Sequence, residues 1–198
     1  MAKGAIMQAL TAIILAGGFS SRMNRDNKAF LKMGGESLIE IILKQVAVFD
    51  EILIVSNTPQ DYASLGVRTV TDIIPQKGPL GGIHSGLTHA KHNYSIVLPC
   101  DMPFIRAEVL LYLARQAEGY DAVVPKLDDK YQPLCSVYSK ACIDPIKCCL
   151  ENDIRKITKL YGMIHVKEIS ALELQAFGDP ETLFRNINDP EEYAKFCL

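Results

Sequence analysis

The feature that most constrains this chain is a rhythm. Short runs of consecutive apolar residues alternate with stretches of helical spacing. The runs are 9–15, 51–55, 67–70, 95–98 and 122–124. Ser37 precedes Leu38, Ile41, Ile42, Gln45, Val46 and Phe49, which recur at steps of three and four. Residues 83–90, after a turn or helix entry at Gly78-Pro79-Leu80-Gly81-Gly82, and 107–117 also read as helices. A strand apolar at consecutive positions is buried on both faces, and helical crossovers favour parallel pairing. The pattern predicts a mostly parallel sheet between two helical layers, a three-layer α/β/α fold. Later elements are a strand at 135–138, helices at 145–150 and 157–161, and a strand at 164–169. Asp189-Pro190, a cap followed by proline at the first helical position, should open a last helix to Phe196.

The 198 residues suit one domain, 1–198, with 1–8 as an N-terminal tail. A formal net charge of −2 argues against a broadly basic nucleic-acid or membrane-surface binder, so any phosphate must meet a local basic patch. The six cysteines, Cys100, Cys135, Cys142, Cys148, Cys149 and Cys197, contain no C-x-x-C pair and read as reduced thiols. Lys3 and the apolar stretch 5–15 resemble the core of an export signal, but no clean small-x-small cleavage site follows. No run of 18 apolar residues suggests a membrane span. The expected compartment is the cytoplasm.

Ligands of such sheets bind beyond the carboxyl ends of the strands, near a topological switch point. Gly17, Gly18, Asn57, Asp72 and Asp101 all follow apolar runs. Paired glycines let backbone N–H groups approach an anion. Behind them, Arg22, Arg25, Lys28 and Lys32 stand against Asp26, four cations to one carboxylate. The same residues also suit an ordinary turn with solvated charges. Neither the P-loop pattern nor the G-x-G-x-x-G fingerprint is present. Asp101 lies between Pro99 and Pro103, where it suits either a turn or a magnesium ion shared with phosphates. A carboxylate at Asp72 could accept both N1–H and N2–H of guanine, or simply face solvent; Asn57 has the same ambiguity. His84, His89, His92 and His165 lack metal spacing, and the first three are placed on one surface helix with solvated or capping roles. Met23 and Met102 read as packing residues.

Leu15-Ala16-Gly17-Gly18-x-Ser20-x-Arg22-Met23 followed by Lys28 resembles the signature of nucleotidyltransferases of the nucleotide-diphospho-sugar transferase type, a Rossmann-like fold. Within that group the chain resembles the molybdenum cofactor guanylyltransferases. Further segments in the family's order are 78–83, 99–104, Gln132-Pro133-Leu134 and 184–192. Asn24 stands where the family usually has Gly, Lys28 follows Met23 by five residues rather than four, and Asp189 replaces a common Thr.

The resemblance implies that backbone at Leu15, Ala16 and Gly17, with Lys28, holds GTP. It implies that Asp72, and with it Asn57, contacts the nucleoside, and that Asp101 binds Mg²⁺ and the triphosphate. Arg22 would contact phosphate near the reacting centre, making Arg22, Lys28 and Asp101 the catalytic set. Asn186 and Asn188 would lie near the metal or acceptor phosphate. The implied reaction joins GMP from GTP to the terminal phosphate of molybdopterin or Mo-molybdopterin and releases pyrophosphate. Other molybdenum-cofactor biosynthesis proteins and molybdoenzymes would be its partners. Alternatives are a cytidylyltransferase for the same cofactor, a guanylyltransferase for another phosphorylated acceptor, or a non-catalytic nucleotide-binding regulatory module.

Overall fold

The computed structural model describes residues 8–16 and 27–187. Gly17, Gly18, Arg22, Met23, Asn188 and the helix expected at 189–196 lie outside the described residues.

The main strands are β1 (Leu10–Leu15), β4 (Glu51–Val55), β5 (Arg68–Val70), β6 (Tyr94–Pro99), β7 (Ala122–Leu127), β8 (Lys130–Tyr131), β9 (Ser136–Ser139) and β10 (Val166–Ser170). Strands β2 (Lys32–Met33) and β3 (Glu36–Ser37) form a separate hairpin. The helices are α1 (Leu38–Val46), α2 (Gly78–His89), α3 (Ala107–Arg115), α4 (Ile143–Glu151), α5 (Ala171–Leu174) and α6 (Pro180–Leu183). The sheet order is β10-β7-β9-β6-β1-β4-β5, with β8 paired to β7. All these pairings are parallel except those of β9 with β6 and β7 and of β8 with β7. The mostly parallel three-layer expectation is borne out.

Alternate side chains divide the core. Ala12 and Ile14 of β1 face a layer containing Ile39, Ile42 and Val46 of α1 and Val109, Leu110 and Leu113 of α3. Ile13 faces Leu80, Ile83 and Leu87 of α2 and Ile146 and Leu150 of α4. This period-two division explains why consecutive apolar residues are needed in a central strand. Helix α2 comes very close to β1: a Cβ built on Gly86 would stand 2.6 Å from Ile13 Cγ2.

Several boundaries differ from the sequence reading. Helix α2 begins at Gly78 rather than Ile83; Gly78 takes φ +64° at its entry and Pro79 fits its first turn. Pro99 belongs to β6, at its last position, where a missing donor is tolerated. The β2–β3 turn uses Gly34 and Gly35 at φ +61° and +91°, and Asp128 and Asp129 also take positive φ between β7 and β8. These two-residue strands are too short for a periodic signal.

The histidine expectation needs correction. His92 lies beyond the end of α2, and His84 is buried, its ring on the helix face that meets α4. Burial, reinforced by the nearby Lys147 charge, holds the His84 ring below the usual histidine range.

Candidate nucleotide-transfer site

Register builds the site. Leu15 pairs with Val55 on one side and with Pro99 on the other, and Val55 pairs with Val70. Four strands therefore end level. The ladder extends one step: Ala16 N–H donates to Val55 O at 2.9 Å, Ser56 N–H to Val70 O at 2.9 Å and Cys100 N–H to Leu15 O at 3.2 Å. The residues that follow each strand emerge side by side. After β1 the chain adds β4 and β5 on one side and then crosses to β6 on the other, so the edge where β1 and β6 end is a topological switch point.

A cavity of about 830 Å³ opens there. Leu15, Ala16, Asn57, Asp72, Lys28 and Asp101 all line it, as does Asn186. The structure thus brings together every described candidate residue. Gly17, Arg22 and Asn188 lie outside the described residues.

Lys28 and Asp101 form an ion pair in the wall of the cavity. The Lys28 ammonium is 2.7 Å from Asp101 Oδ2, and both side chains are largely shielded, at 12% and 20% exposure. Lys28 opens a single 3₁₀ turn, Lys28–Phe30. Asn27 caps it, its Oδ1 accepting from Ala29 N–H at 3.2 Å. Ala29 is fully buried and anchors the turn. Asp101 is fixed from the other side, because its carbonyl accepts from Ile187 N–H at 2.9 Å. That bond draws the distant Asn186 beside Asp101. Asn186 Oδ1 is buried without a hydrogen-bond partner among the described residues.

An unpartnered buried carbonyl oxygen is costly unless something is meant to meet it. Together with the Asp101 carboxylate it offers the hard oxygen donors that Mg²⁺ selects, and this metal uses few protein ligands. Among the described residues there is no cluster of three or more His, Cys, Asp or Glu suited to a metal. The residues present therefore fit a magnesium ion shared with a phosphorylated substrate.

At the opposite wall, Asp72 and Asn57 grip one another. Asn57 Nδ2 donates to Asp72 Oδ2 at 2.8 Å, and Asp72 N–H donates to Asn57 Oδ1 at 3.2 Å. Asp72 Oδ1 has no partner among the described residues and lies beside Gly82. A Cβ at Gly82 would stand 3.1 Å from Leu15 Cδ2 and 3.9 Å from Asp72 Oδ1. Glycine here keeps this end of the cavity open.

Two sequence expectations need finer statement. Ala16 N–H is committed to Val55, and its carbonyl accepts from the Tyr62 hydroxyl at 2.9 Å. Ala16 therefore contributes wall rather than a spare backbone donor. Cys100 also lines the cavity, with its thiol held in the protonated form. Burial, and next the Asp101 charge, push it up to about 12. Asn27 and Tyr62 have no site role in the sequence reading, and Leu134 enters it only within the matching segment Gln132-Pro133-Leu134. Asn27 carried a weak signal as a capping residue before Lys28; Tyr62 carried none.

Comparison with known proteins agrees with this geometry. The model of the MobA-like NTP transferase domain matches residues 12–167. A Clostridium perfringens (strain 13 / Type A) protein named "Probable molybdenum cofactor guanylyltransferase" is 42% identical over 186 residues, 92% of this chain and 93% of that protein. A Desulfosudis oleivorans protein named "Molybdenum cofactor guanylyltransferase" is 38% identical over 191 residues, 96% of this chain and 95% of its own. The crystal structure of molybdopterin-guanine dinucleotide biosynthesis protein A from Archaeoglobus fulgidus superposes with a TM-score of 0.82 at 26% identity. It covers 94% of this chain and 96% of that one. With its cavity at the switch point and matches along nearly its whole length, the chain belongs to the MobA-like NTP transferase family.

Proposed function

We propose that this protein transfers GMP from GTP to the terminal phosphate of molybdopterin or Mo-molybdopterin and releases pyrophosphate. The observation that carries the proposal is the Lys28–Asp101 pair, held 2.7 Å apart in a cavity whose far wall is the Asn57–Asp72 grip. One end supplies charge for phosphates and the other an acceptor edge for a base. The names of the relatives support the choice of donor and acceptor.

The chemistry asks little of a general base. A phosphate monoester has a second pKa of about 6, so the acceptor is already anionic near neutral pH. No histidine among the described residues lines the cavity. The obstacle is collecting several negative charges in line, so positioning and electrostatic stabilisation carry the acceleration. Lys28, with Arg22, offsets charge on the triphosphate and on the departing pyrophosphate. Asp72 accepts from the guanine N1–H and N2–H edge. Leu15 and Ala16 form the wall along which the nucleoside lies.

Asp101 and Asn186 would hold Mg²⁺. When bound, the ion neutralises triphosphate charge and polarises the α-phosphoryl group. No described helix is long and apolar enough to cross a membrane. The reading places the reaction in the cytoplasm, with other molybdenum-cofactor biosynthesis proteins and molybdoenzymes as partners.

The decisive experiment incubates the protein with GTP, Mg²⁺ and molybdopterin and measures pyrophosphate together with the guanine dinucleotide product. Both must appear in equal amounts. CTP serving better than GTP would reassign the donor. GTP binding without product would turn the assignment toward another acceptor or a binding module.

A further inference from the structure

Ala16 and Asn27, the described residues on either side of the segment 17–26, both meet one side chain. Tyr62 lies in the 3₁₀ stretch Pro59–Leu65 that follows β4. It is fully buried. Its hydroxyl is 2.9 Å from Ala16 O, immediately before the segment, and 3.0 Å from Asn27 Nδ2, immediately after it.

One set of donors and acceptors satisfies the whole group. The Tyr62 hydroxyl donates to Ala16 O and accepts from Asn27 Nδ2. The second Nδ2 proton goes to Asp61 Oδ2 at 3.2 Å. Asn27 Oδ1 is left to accept from Ala29 N–H, the bond that caps the Lys28 turn. Burial raises the Tyr62 hydroxyl above its ordinary range, outweighing the opposing hydrogen bond with Asn27, so it remains a donor at neutral pH. The ring itself packs on Phe30, with centroids 5.3 Å apart.

We infer that Tyr62 is a positioning residue whose hydroxyl sets the spacing between the Ala16 and Asn27 stems and, through Asn27, the placement of Lys28 against Asp101. The inference rests on the nucleotide-transfer reading for its functional consequence. Its structural half stands on the hydrogen bonds alone. A residue with only a packing role would need its ring and not its oxygen.

The full chain carrying Tyr62→Phe keeps the ring and loses the oxygen; Tyr62→Leu loses both. Two readouts are taken: GTP turnover with Mg²⁺ and molybdopterin, and amide hydrogen exchange across residues 27–31. Tyr62→Phe is expected to raise KM for GTP about five- to tenfold with kcat within about twofold, the effect of one lost positioning hydrogen bond. The Ala29 amide should exchange faster, while the amides of β4 keep their protection. Wild-type KM and wild-type exchange in Tyr62→Phe, with impairment only in Tyr62→Leu, would overturn the inference and assign the residue to packing. If the wild-type chain fails to transfer GMP while Tyr62→Phe still loosens the Ala29 amide, the transfer reading falls and the stem-fixing role is upheld.

Discussion

Lys28 and Asp101 are 73 positions apart in sequence, yet the lysine Nζ lies 2.7 Å from the aspartate Oδ2. The pair joins a turn following β1 to the end of β6, and each side chain offsets a shielded charge on the other. Asp101→Asn is expected to lower kcat by about 10²–10³-fold, as loss of a preorganised electrostatic group does. Lys28→Ala is expected to raise KM for GTP by about ten- to a hundredfold, the range for a lost charge-assisted hydrogen bond. The double variant should show less than the summed penalty. Steady-state kinetics on the four proteins tests this, and full additivity would separate their roles.

The Asn57–Asp72 grip predicts a loss of base selection rather than of chemistry. Asp72→Ala should reduce preference for GTP over ATP by about 10²-fold or more, because the guanine donors would be left unpaired. Asn57→Ala should erode the same preference less, since it frees the Asp72 carboxylate to rotate but keeps it. Competition between the two nucleotides gives the ratio directly. Unchanged discrimination in Asp72→Ala would remove that residue from base reading.

Gly86 makes a prediction about stability alone. Gly86→Ala places a methyl 2.6 Å from Ile13 Cγ2, and Ile13 is fully buried with a branched, stiff side chain. The helix must move off β1 or the isoleucine must leave its rotamer, at a cost of about 1–3 kcal/mol. Urea unfolding should show the loss. Gly82→Ala, by contrast, should disturb GTP binding, because its methyl would press on Leu15 at the cavity wall.

Glu51 gives the stability a dependence on acidity. Its carboxylate sits at the opposite end of β4 from the cavity, accepting from Thr11 Oγ1 at 2.7 Å and Lys91 N–H at 2.8 Å. Burial pushes its pKa upward, but those bonds, with the Lys91 and Arg68 charges, outweigh burial and hold it below the usual carboxylate range. A depressed folded value means the stabilisation is complete above the unfolded value and is lost as pH falls through the folded one. Wild type should therefore weaken as pH falls through and below the ordinary glutamate range, and Glu51→Gln should weaken less steeply there. Parallel slopes in thermal melts would exclude Glu51 as a contributor.

Thiol chemistry supplies a mapping test. Cys135 and Cys142 are buried and, like Cys100, pushed up to about 12, chiefly by burial. Cys148 is the exposed cysteine among the described residues. Brief alkylation of the native protein near pH 8 should modify Cys148 and spare Cys100, Cys135 and Cys142, as peptide mass mapping would show. The reading of unpaired thiols holds for the five described cysteines, all of which are free.

What could be read from sequence, and what could not, follows from range. Apolar runs fixed by their own residues, such as Glu51–Val55, were legible to their ends. So were residues just beyond them, because the sheet itself puts Asn57, Asp72 and Asp101 at one edge. The reversal of β9 left no local trace, since a strand buried on both faces looks alike in either direction. Tyr62 was invisible for a related reason: its work is done through one oxygen, on partners 46 and 35 positions away. Asn186 was legible only by resemblance, and the Ile187–Asp101 bond supplies the physical reason for its place.

The level ends of β1, β4, β5 and β6 make strand length a ruler for this enzyme. Dropping one residue from the middle of β4 would draw Asn57 back by about 3.3 Å and exchange its inner and outer faces. Additions at the far rim, where β4 and β6 begin, leave the distances among Asn57, Asp72 and Asp101 untouched. Changes in chain length are therefore expected to collect at that rim and be scarce within the four strands, and insertion scanning read by growth or turnover would draw that boundary on the sequence.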